Sequence, residues 1–346
     1  MKTRVYISLP YRCIEYLFNR IHPLWGTFAL TENCNAQCEY CQYWRKKHPE
    51  LSTDSVLKII NKLKGLGVLS LVFSGGECLL RNDLVEIVSY SNRKGLMTSL
   101  VTNGIINDGN LFTNLMMAGL QTLVFSLDGS EANIHEKFRK GCKFNNTIEA
   151  IQNAVEIRNR NKFKTKIATN TVINKTNIPD LKNIYRLRSS LGADNNYFQP
   201  VWPLGGEKTC SERFGIDQLA MHQLKSITNE LKQIPQGNLD HYYDLIPPLY
   251  KNYEEISKKL KCYAGRAFVH VDSNGILFPC SILNQEPMGS LLEDDIEKIC
   301  SNRTLKKRIE EYKRFKCGGC SMACYLEKDI LLSKLQNPIQ LLRRIR

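Results

Sequence analysis

Three cysteines in one short segment are the residues of this chain best suited to hold a metal cluster. Cys34, Cys38 and Cys41 follow the spacing C-x3-C-x2-C, with Tyr40 directly before the last of them. Iron–sulfur clusters are held by cysteine thiolates, and those held by protein alone normally use four. Three thiolates leave one iron of a [4Fe–4S] cube able to bind and reduce a small molecule. A zinc knuckle with His48 as the fourth ligand is the alternative.

The composition favours a protein of a reducing compartment whose cysteines bind metal. The chain has 346 residues, a formal net charge of +14 and thirteen cysteines, most of them clustered. A long chain with an odd number of cysteines and no signal peptide argues against a secreted disulfide framework. No run approaches the ~18 apolar residues that predict a membrane span. We therefore expect a cytoplasmic location.

Between residues 24 and 201 short apolar runs alternate with longer amphipathic ones, which predicts parallel βα units. Six units favour a partial (β/α)6 barrel, of the TIM-like α/β class, over a full barrel of eight. In such folds the chemistry lies at the C-terminal ends of the strands. The predicted strands are Leu24–Leu30, Leu69–Phe73, Met97–Val101, Thr122–Leu127, Lys166–Val172 and Tyr197–Val201. The predicted helices are Thr53–Lys64, Asp83–Arg93, Gly109–Ala118, Asn146–Arg158 and Ile178–Ser190.

Polar motifs follow the second, third and fourth predicted strands. Adjacent glycines allow close approach of backbone to a ligand, a carboxylate suits an ammonium group, and an arginine binds a carboxylate bidentately. Each motif alone is also compatible with a turn or a solvated charge. The segments are Ser74-Gly75-Gly76-Glu77, Thr102-Asn103-Gly104, Ser126-Leu127-Asp128-Gly129 and His135-Glu136-Lys137-Phe138-Arg139.

Together with the three-cysteine run, these segments resemble the radical S-adenosylmethionine (SAM) enzymes, in the same order and over residues 24–201. In that family the open iron binds the amino and carboxylate groups of SAM. An electron from the cluster then gives methionine and a 5′-deoxyadenosyl radical that abstracts hydrogen from a substrate. The resemblance implies that Cys34, Cys38 and Cys41 hold the cluster. It also implies that SAM is bound by Gly75, Gly76, Glu77, Asn103, Ser126 and Arg139. Cys78 departs from the pattern, since the family often has proline there.

A second group of cysteines resembles the C-terminal extension called the SPASM or twitch domain. The turn signal Asp272-Ser273-Asn274-Gly275 lies between the first two of these cysteines, and a C-x2-C pair follows later. One auxiliary [4Fe–4S] cluster is the expected occupant, and a structural zinc ion is the alternative. The preferred ligands are Cys262, Cys280, Cys317 and Cys320, with Cys324 as the rival for the last place.

These patterns predict five segments along the chain. They are an N-terminal amphipathic segment (1–23), the radical SAM barrel (24–201), a linker with helices including Gln218–Lys232 (202–261), a twitch-type domain (262–330) and a basic amphipathic tail (331–346). The twitch-type domain is expected to contain strands Phe268–Val271 and Ile276–Phe278 and a helix near Asp294–Phe315. We interpret the two basic amphipathic ends as packing against the barrel, with peripheral membrane contact as the alternative.

The resemblance implies an enzyme that consumes SAM and receives electrons from a reductant such as flavodoxin or ferredoxin. Its substrate is expected to be a metabolite or a lipid, and Asn170, Gln199 and Trp202 are weak candidates to face it. One alternative is a maturase of a peptide or protein side chain. Another is a non-catalytic iron–sulfur or zinc protein that binds nucleic acid, which the ordered motifs disfavour. No recognised RNA-binding module accompanies the high charge.

Overall fold

The fold is built on one mixed sheet whose larger part is parallel. The computed structural model describes residues 21–45, 49–201, 218–232, 262–281 and 287–295, together with 298, 299 and 307. Within these residues the strands are β1 Trp25–Thr31, β2 Ser70–Gly75, β3 Met97–Thr102, β4 Thr122–Ser126, β5 Lys166–Ile173, β6 Asn195–Pro200, β7 Phe268–Val271, β8 Ile276–Phe278 and β9 Gly289–Ser290. Their order across the sheet is β6-β5-β4-β3-β2-β1-β7-β8-β9.

Helices connect successive parallel strands. They are α1 Thr53–Leu66, α2 Leu84–Arg93, α3 Gly109–Met117, α4 Ala132–Phe138, α5 Phe144–Arg160, α6 Leu181–Ser190 and α7 Gln218–Lys232. Local signals set their ends: Ser52 caps α1 by accepting a hydrogen bond from the Ser55 amide, and Gly67 ends α1 at φ 104°. Strand, helix and parallel strand recur as the alternating sequence pattern predicts.

The main core lies between the sheet and the helices. Leu71 and Phe73 of β2 and Leu123 and Phe125 of β4 are buried in it. Because side chains alternate between the faces of a strand, Ser126 belongs to the opposite, inner face of the sheet. The outer face therefore binds the helices, and Ser126 lies on the inner face.

A second, smaller core joins the last two helices to the end of the parallel sheet. Leu181 and Ile184 of α6 and Leu224 and Ile227 of α7 are buried together with Phe198 of β6. The predicted helix Gln218–Lys232 thus has the predicted bounds and packs on the barrel.

The C-terminal module continues the same sheet. β7 pairs in parallel with β1, on the edge opposite to β2, and the Nδ1 atom of His270 lies 2.8 Å from Thr27 Oγ1. β8 pairs antiparallel with β7, and β9 antiparallel with β8. Val269 and Val271 are buried in the main core. The module and the barrel therefore share one sheet and one core.

The predicted α/β class, a partial barrel followed by a small module, is confirmed. The seven-residue helix α4 and the two-residue strand β9 are additional elements. The domain bounds remain predictions. The two basic ends, Trp202 and most of the helix expected near Asp294–Phe315 lie outside the described residues.

Candidate active site

The three-cysteine segment follows β1, at the C-terminal end of the parallel strands. The Cys41 amide donates to the Cys38 carbonyl at 3.1 Å, which folds the C-x2-C part into a turn. The indole Nε1 of Trp44 donates to the same carbonyl at 3.1 Å. Cys34, Cys38 and Cys41 pack in one small cluster of side chains. The three cysteines of this spacing therefore belong to one packing cluster, and their role as cluster ligands stays a prediction.

The surroundings of the three thiols differ. Hydrogen bonding to the Cys142 thiol, aided by the Arg139 guanidinium, lowers the pKa of Cys38 to about 7. Burial raises the pKa of Cys41 to about 11 and also raises the pKa of Cys34. Because the thiolate is the metal ligand, the surroundings of Cys38 favour its ligating form, whereas burial disfavours that form at Cys34 and Cys41.

The donor set fits a [4Fe–4S] cluster. Three cysteine sulfurs come from one loop, and thiolates are the usual ligands of such clusters. Each thiolate of a cube binds a different iron, so the sulfurs need not converge on one point. Among the described residues no three His, Cys, Asp or Glu side chains converge as ligands of a metal ion. His48, the fourth ligand of the zinc alternative, lies outside those residues.

Gly75, the last residue of β2, and Gly76 directly after it let the cysteine loop approach closely. Gly75 has φ +115°, and a Cβ there would lie 2.3 Å from the Thr31 carbonyl oxygen. A Cβ on Gly76 would lie 2.1 Å from the Asn33 carbonyl oxygen. The Gly76 and Glu77 amides donate to the Thr31 and Asn33 carbonyls, both at 2.7 Å. Both glycines thus fix the start of the cysteine loop against the end of β2.

Glu77 is buried and binds backbone amides. Its Oε1 accepts from the Leu79 amide at 3.1 Å, and its Oε2 accepts from the Asn103 amide at 2.7 Å. Burial raises the pKa of Glu77, although these amides favour the ionised form. Its carboxylate therefore ties the end of β2 to the end of β3, a contact that the sequence does not reveal.

Asn103 and Ser126 lie at the ends of β3 and β4. The Asn103 side chain donates to Asn35 Oδ1 at 2.7 Å, and its Nδ2 lies 3.9 Å from Cys34 Sγ. Ser126 is buried and pairs in register with Asn170 of β5. Asn103 thus touches the cysteine loop directly, while Ser126 lies further along the same end of the sheet.

Arg139 is buried in an ion pair with Asp128. Its Nε donates to Asp128 Oδ2 at 2.6 Å, and its Nη1 lies 3.9 Å from Cys38 Sγ. The Tyr40 hydroxyl also donates to Asp128 Oδ2, and the Val172 amide donates to Oδ1 at 2.7 Å. One edge of the guanidinium is thus held by protein, which orients the cation beside Cys38. Our expectation that Arg139 binds the SAM carboxylate stays a prediction.

The sequence patterns did not predict that four further residues contact the cysteine loop, the adjacent strand ends or the residues beside them. These residues are Glu50, Arg81, Asp128 and Cys142. Arg81 is buried, pairs with Asp83 at 2.7 Å and donates to the Leu30 carbonyl at 3.2 Å. Glu50 accepts from Thr31 and Asn33. Apart from the pair Arg81–Asp83, these contacts join residues 17 to 51 positions apart in the sequence. The one local signal was Asp128 at the end of a strand.

Two of the five auxiliary cysteines lie within the described residues. Cys262 is partly exposed, and its sulfur accepts from the Ala264 amide at 3.5 Å. Cys280 is buried and follows Pro279, whose carbonyl accepts from the Gly265 amide at 3.0 Å. The hairpin therefore brings the two cysteine segments together. Cys317, Cys320 and Cys324 lie outside the described residues.

Residues 28–187 match the sequence profile of the radical SAM superfamily. This chain contains a radical SAM domain. Such domains use a [4Fe–4S] cluster and SAM, as the three-cysteine run and the strand-end motifs imply. None of the helices within the described residues is long and apolar enough to cross a bilayer.

Two similar curated proteins carry different functional names. The chain is 29 % identical to an AdoMet-dependent heme synthase of Methanosarcina barkeri, over 85 % of this chain and 87 % of that protein. It is 28 % identical to a PqqA peptide cyclase of Rhodopseudomonas palustris, over 89 % of this chain and 81 % of that protein. These relatives support the family and leave the substrate open.

The fold is similar to that of a solved protein structure. SuiB of Streptococcus suis, bound to its precursor peptide SuiA, superposes with a TM-score of 0.67 at 17 % identity. The match covers 91 % of this chain and 74 % of SuiB. The likeness extends beyond residue 187, so the barrel and the module after it follow one known architecture.

Proposed function

We propose that this protein cleaves SAM reductively at a [4Fe–4S] cluster held by Cys34, Cys38 and Cys41, and uses the resulting 5′-deoxyadenosyl radical to take hydrogen from a substrate. The packing of three cysteine thiols from one loop at the C-terminal end of a parallel sheet carries this proposal. The cluster supplies the electron, and SAM supplies the radical. The chain binds, orients and shields both.

The residues around the cysteine loop have separate tasks in this proposal. Gly75 and Gly76 permit the close approach of the loop to the strand ends. Asp128 holds Arg139 beside Cys38, so that a fixed positive charge lies where an anionic cluster or a SAM carboxylate would bind. Ser126 and Asn103 are proposed to contact SAM at neighbouring strand ends.

A triple substitution of Cys34, Cys38 and Cys41 by alanine tests the cluster ligands. After anaerobic reconstitution and reduction with dithionite, the wild type should convert SAM to 5′-deoxyadenosine and methionine, measured by mass spectrometry. The triple variant should lose this activity and the iron of the cluster. Cys78→Ala is the matched control, because Cys78 is buried outside the loop and should leave the iron content unchanged. SAM cleavage by the triple variant would contradict the proposal.

We also propose that Cys262, Cys280 and Cys317, with either Cys320 or Cys324, hold an auxiliary cluster. If so, the wild type should carry about eight irons and the triple variant about four, by the rule of four cysteines to a protein-held cube. About four irons per chain in the wild type would contradict the proposal of a second cluster.

A peptide substrate is a second candidate, because the similarity to the PqqA peptide cyclase extends over 89 % of this chain. A metabolite or lipid remains the first candidate substrate. The similarity to a heme synthase supports a substrate that is not a peptide. Incubation of the reduced enzyme and SAM with deuterated host extracts would separate these candidates. Deuterium in 5′-deoxyadenosine from the peptide, lipid or small-metabolite fraction would identify the substrate class.

A further inference from the structure

A short backbone segment lies directly against the cysteine loop. Residues 138–142, between α4 and α5, form this segment, which we call the strap. The Gln37 amide donates to the Lys140 carbonyl at 2.7 Å, and the Glu39 amide donates to the Phe138 carbonyl at 2.9 Å. One layer of backbone therefore separates the outer surface of the strap from the loop that carries the cysteines.

A pocket opens on the outer side of the strap. At its mouth the side chains of Lys137, Lys140 and Lys143 are exposed, and we call these three residues the basic surface. At its inner end lie Arg139 and Cys142, both buried. The pocket is lined by Ala132, Asn133, Glu136, Lys137, Arg139, Lys140, Gly141, Cys142 and Lys143. It thus leads from exposed amines to the thiol that contacts Cys38.

Positive charge dominates this pocket. Its lining contains four cations and one carboxylate, that of Glu136, which pairs with Lys143 at 2.8 Å. Asp128 neutralises Arg139 from behind the lining, so the surplus comes from the three lysines. Lys140 lies 3.9 Å from Glu39 and keeps about half of its side chain exposed, at 55 %. The Lys137 amine lies 5.5 Å from the centre of the Phe138 ring. An acidic partner would therefore meet a surplus of positive charge at the mouth of the pocket, with the strap between it and the cysteine loop.

We propose that the basic surface docks a small acidic electron-carrier protein of the flavodoxin type, which reduces the cluster across the strap. This inference rests on the proposed function, because it requires a cluster at Cys34, Cys38 and Cys41. Complementary charge steers such encounters and raises association rates by about 10- to 1,000-fold at low salt. The contact of Cys142 with Cys38 provides the short route from the pocket to a ligand sulfur.

The electron balance is simple. The flavin hydroquinone anion loses one electron and becomes the neutral semiquinone, with no proton transferred. The electron reduces the [4Fe–4S] cluster from the 2+ to the 1+ state. No bond is formed or broken at the strap.

Charge reversal of the basic surface tests the proposal in the reconstituted enzyme. The variant Lys137→Glu, Lys140→Glu and Lys143→Glu should slow reduction of the cluster by flavodoxin hydroquinone about tenfold or more at low ionic strength. Stopped-flow absorbance of the flavin measures this rate. Titration calorimetry with oxidised flavodoxin should show weaker binding and a smaller dependence on salt, independently of any activity.

A matched variant controls for the high charge of the whole protein. Arg160→Glu, Lys164→Glu and Lys166→Glu changes the charge equally at exposed positions. These residues lie near the start of β5, at the end of the sheet opposite to the cysteines. Both variants are also compared at 0.1 M salt, where Debye screening limits the reach of exposed charges to roughly 10 Å, and there this variant should keep the wild-type rate within about twofold.

Reduction by dithionite, which needs no docking, should proceed equally in all three proteins. Equal slowing by both charge-reversal variants, or slowing by neither, would overturn the docking proposal. If the dithionite-reduced wild type fails to cleave SAM, the proposed function fails, while the flavodoxin rates and affinities still decide the docking proposal. Conservative substitution of the three lysines by glutamine guards against misfolding, and it should give an intermediate loss of rate.

Discussion

His135 is fully buried behind the site and is held in its neutral form. Its Nδ1 accepts a hydrogen bond from the Asp128 amide at 3.2 Å, so that the proton lies on Nε2. Within the described residues Nε2 has no hydrogen-bond partner. Burial, assisted by the Arg139 cation, lowers the pKa of His135 from 6.5 to about 4. Protonation would place a charge in the core and remove the acceptor of the Asp128 amide.

We therefore expect His135 to make the protein less stable in mild acid. In the unfolded chain the imidazole takes up a proton near pH 6.5, whereas in the folded chain it does so only near pH 4. The unfolded state binds more protons in this window, so the free energy of unfolding falls as the pH falls through it. The contribution of His135 should lower the free energy of unfolding by about 3 kcal/mol by pH 4, since each unit of pKa difference corresponds to about 1.4 kcal/mol.

Urea unfolding of the wild type and of His135→Gln between pH 7 and 4 measures this effect. Glutamine retains an acceptor for the Asp128 amide but does not titrate. Between pH 7 and pH 4 the free energy of unfolding should fall by about 3 kcal/mol less in the variant than in the wild type, since the other titrating groups are common to both proteins. Parallel pH profiles for the two proteins would show that His135 is not responsible.

At the scale of elements, the loop that follows β1 depends on the turn that follows β2. We expect Gly76→Ala to reduce cluster binding, because the new methyl group would meet the Asn33 carbonyl at 2.1 Å and displace the residue before Cys34. Iron per chain after reconstitution should fall to less than about half, while the circular dichroism of the helices and strands is retained. Displaced ligand geometry costs metal affinity more than it costs the fold.

Gly109→Ala is the matched control for this variant. Gly109 begins α3, and a methyl group there would lie 3.4 Å from Ile157 Cδ1, in ordinary contact. The control should bind as much iron as the wild type. Equal iron contents in Gly76→Ala and the wild type would show that the close approach of the two loops is not required.

The sequence predicted the strands and helices of the barrel because each one repeats a local pattern. The predicted strand Leu69–Phe73 and the observed β2, Ser70–Gly75, differ by only one or two residues at each end. The helix α4 was missed, since its seven residues are too few for an apolar period to be visible.

Contacts between distant segments could not be predicted in this way. The three cysteines share one loop, so their spacing alone brings them together. Cys142 packs on Cys38 only because the strap crosses the cysteine loop, and no local pattern encodes that crossing. Likewise, Asp128 was quoted as part of a motif, but its hydrogen bond to Arg139 depends on the path of α4. The proximity of the three proposed ligands could thus be predicted from the sequence, whereas the contacts that support them could not.

At the scale of the whole molecule, β1 is an interior strand of the sheet. Residues Trp25–Phe28 pair with β2 on one side and with β7 on the other. Within the described part of the chain, β6 pairs with β5 alone. We expect the amides of β1 to exchange with deuterium at least about tenfold more slowly than those of β6, because backbone hydrogen bonds in a core open least often. Peptide-resolved exchange mass spectrometry measures this difference.

Equal exchange in β1 and β6 would indicate that β7 leaves β1 readily, and that the module and the barrel open separately. The substitution His270→Ala offers a second measurement. It removes the contact to Thr27 across this pair of strands. It should speed exchange in β1 and leave exchange in β4 unchanged.

The pairing of β1 with β7 also has a consequence for the synthesis of the chain. Thr27 and His270 are separated by 243 positions, so one edge of β1 stays uncovered while the whole barrel is translated. At 5–20 residues per second, this interval is roughly 12 to 50 s. During that time an unpaired strand edge is available to other nascent chains. Ribosome stalling before β7 would therefore hold a nearly complete barrel in a state that is prone to aggregate.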